Sequence, residues 1–176
     1  MGHPAMIPVY GRDLRIGDRF GLGSHAVTET EIIDFATTWD PQTFHTDRHA
    51  AAEGYFGGII ASGIHTLGIF QRLATVRHFT HWRIIAGRGV RELRFVRPVR
   101  PGDILTGFFV IENIRAARGT GDVITLEGTL VNQTRDTVFI MRTDIQVHHR
   151  PSDAHCDVLS KSGNCHDPSN AGASGP

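Results

Sequence analysis

Asp40 and His45 stand five positions apart in the segment WDPQTFH, residues 39–45. A carboxylate and an imidazole are the smallest side-chain set that can activate one water molecule. With ordinary pKa values near ~3.9 and ~6.5, the aspartate is ionised at neutral pH and the histidine can gain or lose a proton. General acid–base help of this kind is typically worth about 10²–10⁴ in rate. The same spacing also suits an Asp–Pro turn carrying a surface histidine. What surrounds the pair therefore decides between chemistry and a plain turn.

The other reactive side chains make weaker cases. His45 and His49 are four apart, the spacing of two metal ligands on one helix face. The glutamate of H-E-x-x-H is missing and no third ligand has suitable spacing, so no metal and no other cofactor is expected. His155–Cys156 and Cys165–His166 bracket a loop near the C-terminus, but their spacing fits no common zinc site. His65 lies within an apolar run and reads as a core residue. Ser62 sits in IASGI, which is not the G-x-S-x-G of a nucleophile elbow and follows no predicted strand; packing explains it better.

Helical signals lie on both sides of the pair. TETEIIDFATTWD has Thr28 as N-cap with Glu31 three residues on, a capping box. Ile32, Phe35, Ala36 and Trp39 then form one apolar face. Pro41 biases Asp40 out of the helical region, which places the carboxylate at a helix exit. Asp47 to Glu53 reads as a short helix closed by Gly54. A long helix is expected from the glycine pair Gly57–Gly58 to Phe79. It carries no formal charge from Ile59 to Phe70 and is apolar around most of its circumference, so it should be buried. The small residues Gly57, Gly58, Ala61, Ser62 and Gly63 at its start would allow close backbone approach by a ligand.

The period then changes to two. Strands are expected in GVRELRFVRPV, DILTGFFVIENIR, DVITLEGTLVN and TVFIMRTDIQV, with one more near GDRFGLGSH. DILTGFFVIENIR is apolar on both faces and suits a central strand. The expected architecture is α+β: an antiparallel sheet with the long helix covering its apolar face.

The bulk properties narrow the partners. The chain has 176 residues, with 18 basic and 18 acidic side chains. That balance removes the electrostatic case for nucleic acid or an anionic membrane. No run of eighteen apolar residues could span a bilayer, and the N-terminus lacks the basic and apolar regions of a secretory signal; a cytoplasmic location is expected. Residues 1–149 read as one domain and residues 150–176, rich in Ser, Gly, Asn and Asp, as a disordered polar tail.

FATTWDPQTFHTDRHAA, followed by FGGIIASGIHT and later by RPVRPGD, resembles the MaoC-like dehydratase family, relatives of the (R)-specific enoyl-CoA hydratases. The likeness runs from about Asp13 to Val147. It departs from the family pattern G-D-x-N-P-[aliphatic]-H at Trp39, at Gln42–Thr43 and at Phe44. The resemblance implies a hot-dog fold, a sheet wrapped around a long central helix, usually in dimers or higher even oligomers. It implies a hydro-lyase that hydrates a trans-2-enoyl thioester of CoA, or of a carrier protein, to the (R)-3-hydroxyacyl thioester. Asp40 and His45 would then hold the water, and the Gly63 backbone N–H would bind the thioester oxygen. Trp39, Phe44 and Ser62 become candidates for the substrate pocket. An acyl-thioester hydrolase and a catalytically silent acyl-CoA-binding partner subunit are the alternatives on the same fold.

Overall fold

Thr28 starts the first helix as expected: its hydroxyl accepts from the Glu31 N–H at 3.2 Å, opening α1, Glu29–Trp39. The Glu31 carboxylate does not return to Thr28 to close the box. It meets His25 Nε2 at 2.8 Å instead, tying the helix to the strand before it. Asp40 caps α1, its N–H still bonded to the Ala36 carbonyl at 2.9 Å, with extended φ of −156° before Pro41. One turn, α2 (Thr43–Thr46), carries His45, and α3 (Arg48–Glu53) follows. Asp47 caps α3 by accepting from the His49 and Ala50 N–H groups, and Gly54 closes it. The computed structural model describes residues 7–117 and 121–151. From residue 152 on, the expected tail and both cysteines lie outside the described residues.

The long helix starts later than the sequence suggests. Gly57 and Gly58 bend the chain at positive φ, residues 59–62 run on without helix to an extended Ser62, and α4 spans Gly63–Ala74 before a π-helical turn, Thr75–Phe79. Two main-chain bonds hold this run: Ile60 N–H to the Phe44 carbonyl and Ala61 N–H to that of Val99. Nor is α4 buried all round. Thr66, Ile69, Phe70, Leu73 and Ala74 face the core, while Ile64 and Val76 are 53% and 64% exposed. The sheet covers one side of the helix only.

Five strands form one antiparallel sheet in the order β1-β3-β4-β5-β2. They are β1 (Arg19–Ala26), β2 (Ile84–Phe95), β3 (Ile104–Ala116), β4 (Gly121–Val131) and β5 (Thr137–His148). The central strand is β4, buried on both faces, whereas β3 alternates between buried and more open positions. On the outer face Thr125 and Thr129 are buried although the sequence pattern points them to solvent. Thr125 bonds to Asp144, which Arg91 and Arg115 also reach, so long side chains roof the strand. On the inner face α4 comes close. A Cβ on Gly128 would stand 2.2 Å from the Phe70 ring, so only glycine lets that ring lie on the central strand. Phe70 also packs on Phe139, and fully buried Leu105, Phe109, Ile124 and Leu130 complete the centre of the core.

Candidate active site

The helix exit, the single turn of α2 and the start of α4 converge. Asp40 Oδ2 lies 3.5 Å from His45 Nε2. Each carboxylate oxygen has one neutral donor: Gln42 Nε2 on Oδ1 at 2.8 Å and Ser62 Oγ on Oδ2 at 2.7 Å. These two bonds, Gln42's first, hold the Asp40 pKa below the ordinary carboxylate value; partial burial opposes them and His45 adds a smaller pull. His45 is buried, with its ring edge against Phe44 at 4.3 Å. Its Nδ1 is 2.7 Å from the Ile60 carbonyl oxygen. A carbonyl can only accept, so Nδ1 carries a hydrogen and the neutral ring keeps its lone pair on Nε2, toward Asp40.

A pocket of about 420 Å³ opens beside the imidazole. His45, Gly63 and Thr66 supply its polar wall; Phe56, Ile60 and Phe95 are among its apolar residues, and Arg97 adds one cation. Gly63 is the first residue of α4, and its N–H has no protein acceptor among the described residues. An uncommitted donor at a helix start carries the positive end of the dipole as well. The Phe95 ring lies over the Gly63 Cα so closely that an added Cβ would be 2.6 Å from it.

Asp40, His45 and Gly63 are thus brought together. The other three candidates are placed differently. Trp39 is 73% exposed at the end of α1, Phe44 packs between His45 and Phe56, and Ser62 is buried against Asp40; of the six candidates only His45 and Gly63 line the pocket, and Asp40 stands behind His45. Thr66, Phe95 and Arg97 were not expected here. Phe95 ends β2 and Arg97 lies two residues beyond it, far along the chain, and no local pattern marks them. Gln42 did leave a signal, since it occupies the asparagine position of the resemblance. His65, read as a core residue, stacks on Phe35 at 4.8 Å, with no hydrogen-bond partner for Nδ1; burial lowers its pKa. Among the described residues no cluster of three metal-ligating side chains occurs.

A single antiparallel sheet wrapped on one helix, with this convergence at the helix start, defines a hot-dog protein. The chain belongs to the MaoC-like domain family, whose model matches residues 15–133. It is 35% identical over 127 residues to the uncharacterized protein YdeM of Bacillus subtilis, covering 72% of this chain and 90% of that one. The crystal structure of a MaoC-like dehydratase from Rhodospirillum rubrum is 34% identical, with a TM-score of 0.75 over 81% of this chain and 99% of the other. R-hydratase PhaJ1 from Pseudomonas aeruginosa shares the fold at 21% identity and a TM-score of 0.68, covering 81% and 88%. The hydratase and dehydratase class is therefore the one in which the chain falls.

Proposed function

We propose that the protein reversibly hydrates a trans-2-enoyl thioester, of CoA or of a carrier protein, to the (R)-3-hydroxyacyl thioester. The observation that carries this reading is that His45, 3.5 Å from Asp40, lines a pocket that Gly63 lines as well. Water held by the pair attacks C3, and the π electrons of the C2–C3 bond move toward the thioester oxygen. The Gly63 N–H meets that developing charge with a fixed donor and the dipole of α4. The proton the pair removes from the water is the one returned to C2, so one water is consumed and no other proton source is needed. Asp40, held as the anion by two donors, orients the water; His45 Nε2 is the free basic position.

The working form is a homodimer or a higher even oligomer, in the cytoplasm. Support comes from β2, a twelve-residue strand that among the described residues is paired on one side only; it bears exposed Ile85, Val90 and Phe95, the last of which lines the pocket. Such an edge is a template for a second copy. The test is the loss of conjugated-thioester absorbance when the protein meets a panel of trans-2-enoyl-CoA substrates. Turnover by the wild type that Asp40→Asn abolishes supports the reading. Release of free thiol would instead mean hydrolysis, and tight binding without product would mean a silent partner subunit.

A further inference from the structure

Ser62 is 1% exposed, and the proton and one of the two lone pairs of its hydroxyl are committed within the protein. A hydroxyl has one proton to give and lone pairs to receive with. The Ile64 N–H takes a lone pair at 3.2 Å, so the proton must go to Asp40 Oδ2 at 2.7 Å. The Ser62 carbonyl is fixed too, accepting from the Thr66 N–H at 3.0 Å and from Thr66 Oγ1 at 3.2 Å. The residue cannot turn without breaking the first turn of α4.

The oxygen it holds is the one that faces His45. Gln42 also donates to Asp40, but to the other oxygen and from only two residues along the same exposed loop. Ser62 is therefore the side chain that connects the carboxylate to the helix whose first N–H borders the pocket. The family resemblance makes it a candidate for the substrate pocket, yet it does not line that pocket.

We infer that Ser62 is a positioning residue whose buried hydroxyl aims the Asp40 carboxylate at His45 and locks it in register with the Gly63 amide. This rests on the reading of Asp40 and His45 as the reacting pair. The alternative role is a helix cap and nothing more. The two roles differ in what they do to Asp40. A cap alone stabilises α4; a positioning donor also stabilises the anion. Among the described residues His45, from α2, is the one titratable group in contact with that carboxylate, and Gln42 and Ser62 are neutral, so the reading of the titration is simple.

The experiment compares wild type, Ser62→Ala and Ser62→Cys. Turnover of an enoyl-CoA is followed across pH, and the Asp40 side-chain carboxyl is titrated by ¹³C NMR. Removing a hydrogen bond to a charged group predicts a fall in kcat of about 10–100-fold in Ser62→Ala with KM little changed. The acid limb of kcat/KM moves to higher pH, because an anion that loses a donor holds its proton more tightly. The Asp40 midpoint moves the same way. Ser62→Cys, near in size but with a weak S–H donor, shifts both in the same direction by less, and serves if the alanine variant fails to fold. A variant that melts lower yet keeps the wild-type acid limb and the wild-type Asp40 midpoint overturns the inference and leaves a cap. Should the wild type turn over no enoyl thioester, the functional reading fails, while the NMR midpoint, which needs no turnover, still decides the role of Ser62.

Discussion

Among the described residues three aspartates are held below the ordinary carboxylate pKa; Asp47 caps α3, and the other two, Asp40 and Asp144, differ in what their surroundings leave unused. Asp144, on the outer face of β5, accepts from Arg91 Nε and Nη2 at 2.9 and 2.7 Å, from Arg115 at 3.2 Å and from Thr125 at 2.8 Å. Its bonding capacity is spent inside the protein. Asp40 has one neutral donor on each oxygen, and beside it an imidazole lone pair and a backbone N–H remain uncommitted at a cavity. A lowered pKa is therefore no mark of function by itself. The mark is unspent capacity facing an empty volume. Substitutions at the two aspartates should separate accordingly: at Asp40, activity falls with the fold intact; at Asp144, stability falls with activity intact.

The largest effect is expected from Asp40→Asn. It keeps the shape of the side chain and removes the charge, so turnover should fall about 10²–10⁴-fold. The melting temperature should stay close to that of the wild type. A variant that keeps its activity would erase the distinction between the two aspartates. Next comes Gly63→Ala, whose methyl would meet the Phe95 ring at 2.6 Å. Overpacking of this kind costs about 1–3 kcal/mol in stability, and here it also shifts the amide at the helix start, so activity and melting temperature should fall together. Pairing it with Phe95→Leu should recover the melting temperature.

Asp144→Ala tests the other side. Removing a carboxylate that several donors share should cost about 1–3 kcal/mol by thermal melting, with kcat unchanged. The pH dependence has a definite sign. Arg91 first, then Thr125 and Arg115, lower the folded-state pKa of Asp144 against the opposing effect of burial. A depressed carboxylate contributes stability above its unfolded pKa, near ~3.9, and loses it as pH falls through the folded value. The gap in melting temperature between wild type and Asp144→Ala should therefore be full at neutral pH and close below about pH 4.

What the sequence disclosed follows the same division between local and distant causes. The caps Thr28 and Gly54, the short helix beginning about Asp47, the exit at Asp40 and the strand periods are local, and all appear in the fold. The start of α4 was misplaced because an unbroken apolar run such as Ile59–Ile60–Ala61 has no period that tells an extended segment from a helix. Its bonds to Phe44 and Val99 decide it, and those partners lie far along the chain. The placement of β2 beside β5 is equally remote. It alone brings Phe95 and Arg97 to the pocket and Arg91 to Asp144. Asp40 and His45 could be read because their spacing is local; the wall around them could not.

The smallest effect should come from Arg142→Met, and its small size is informative. One guanidinium on β5 holds three carboxylates from three strands: Glu112 at 2.7 Å, Glu92 at 2.7 Å and Glu127 at 2.5 Å. The guanidinium thus ties β5 to three other strands on the outer face. It is also 38% exposed, and its partners are about one-third exposed, so water can solvate every charge the substitution leaves behind. Exposed ion pairs are individually weak for that reason. The melting temperature should therefore drop less than in Asp144→Ala, whose side chain is 9% exposed. The drop should grow as salt is removed, because three like charges on neighbouring strands repel most when unscreened; the Debye length rises from about 10 Å at 0.1 M to about 30 Å at 0.01 M. Activity should not change. A loss of turnover in Arg142→Met, with the melt unaffected, would mean that the outer face reaches the pocket through the sheet, and that the two aspartates do not belong to separate regions after all.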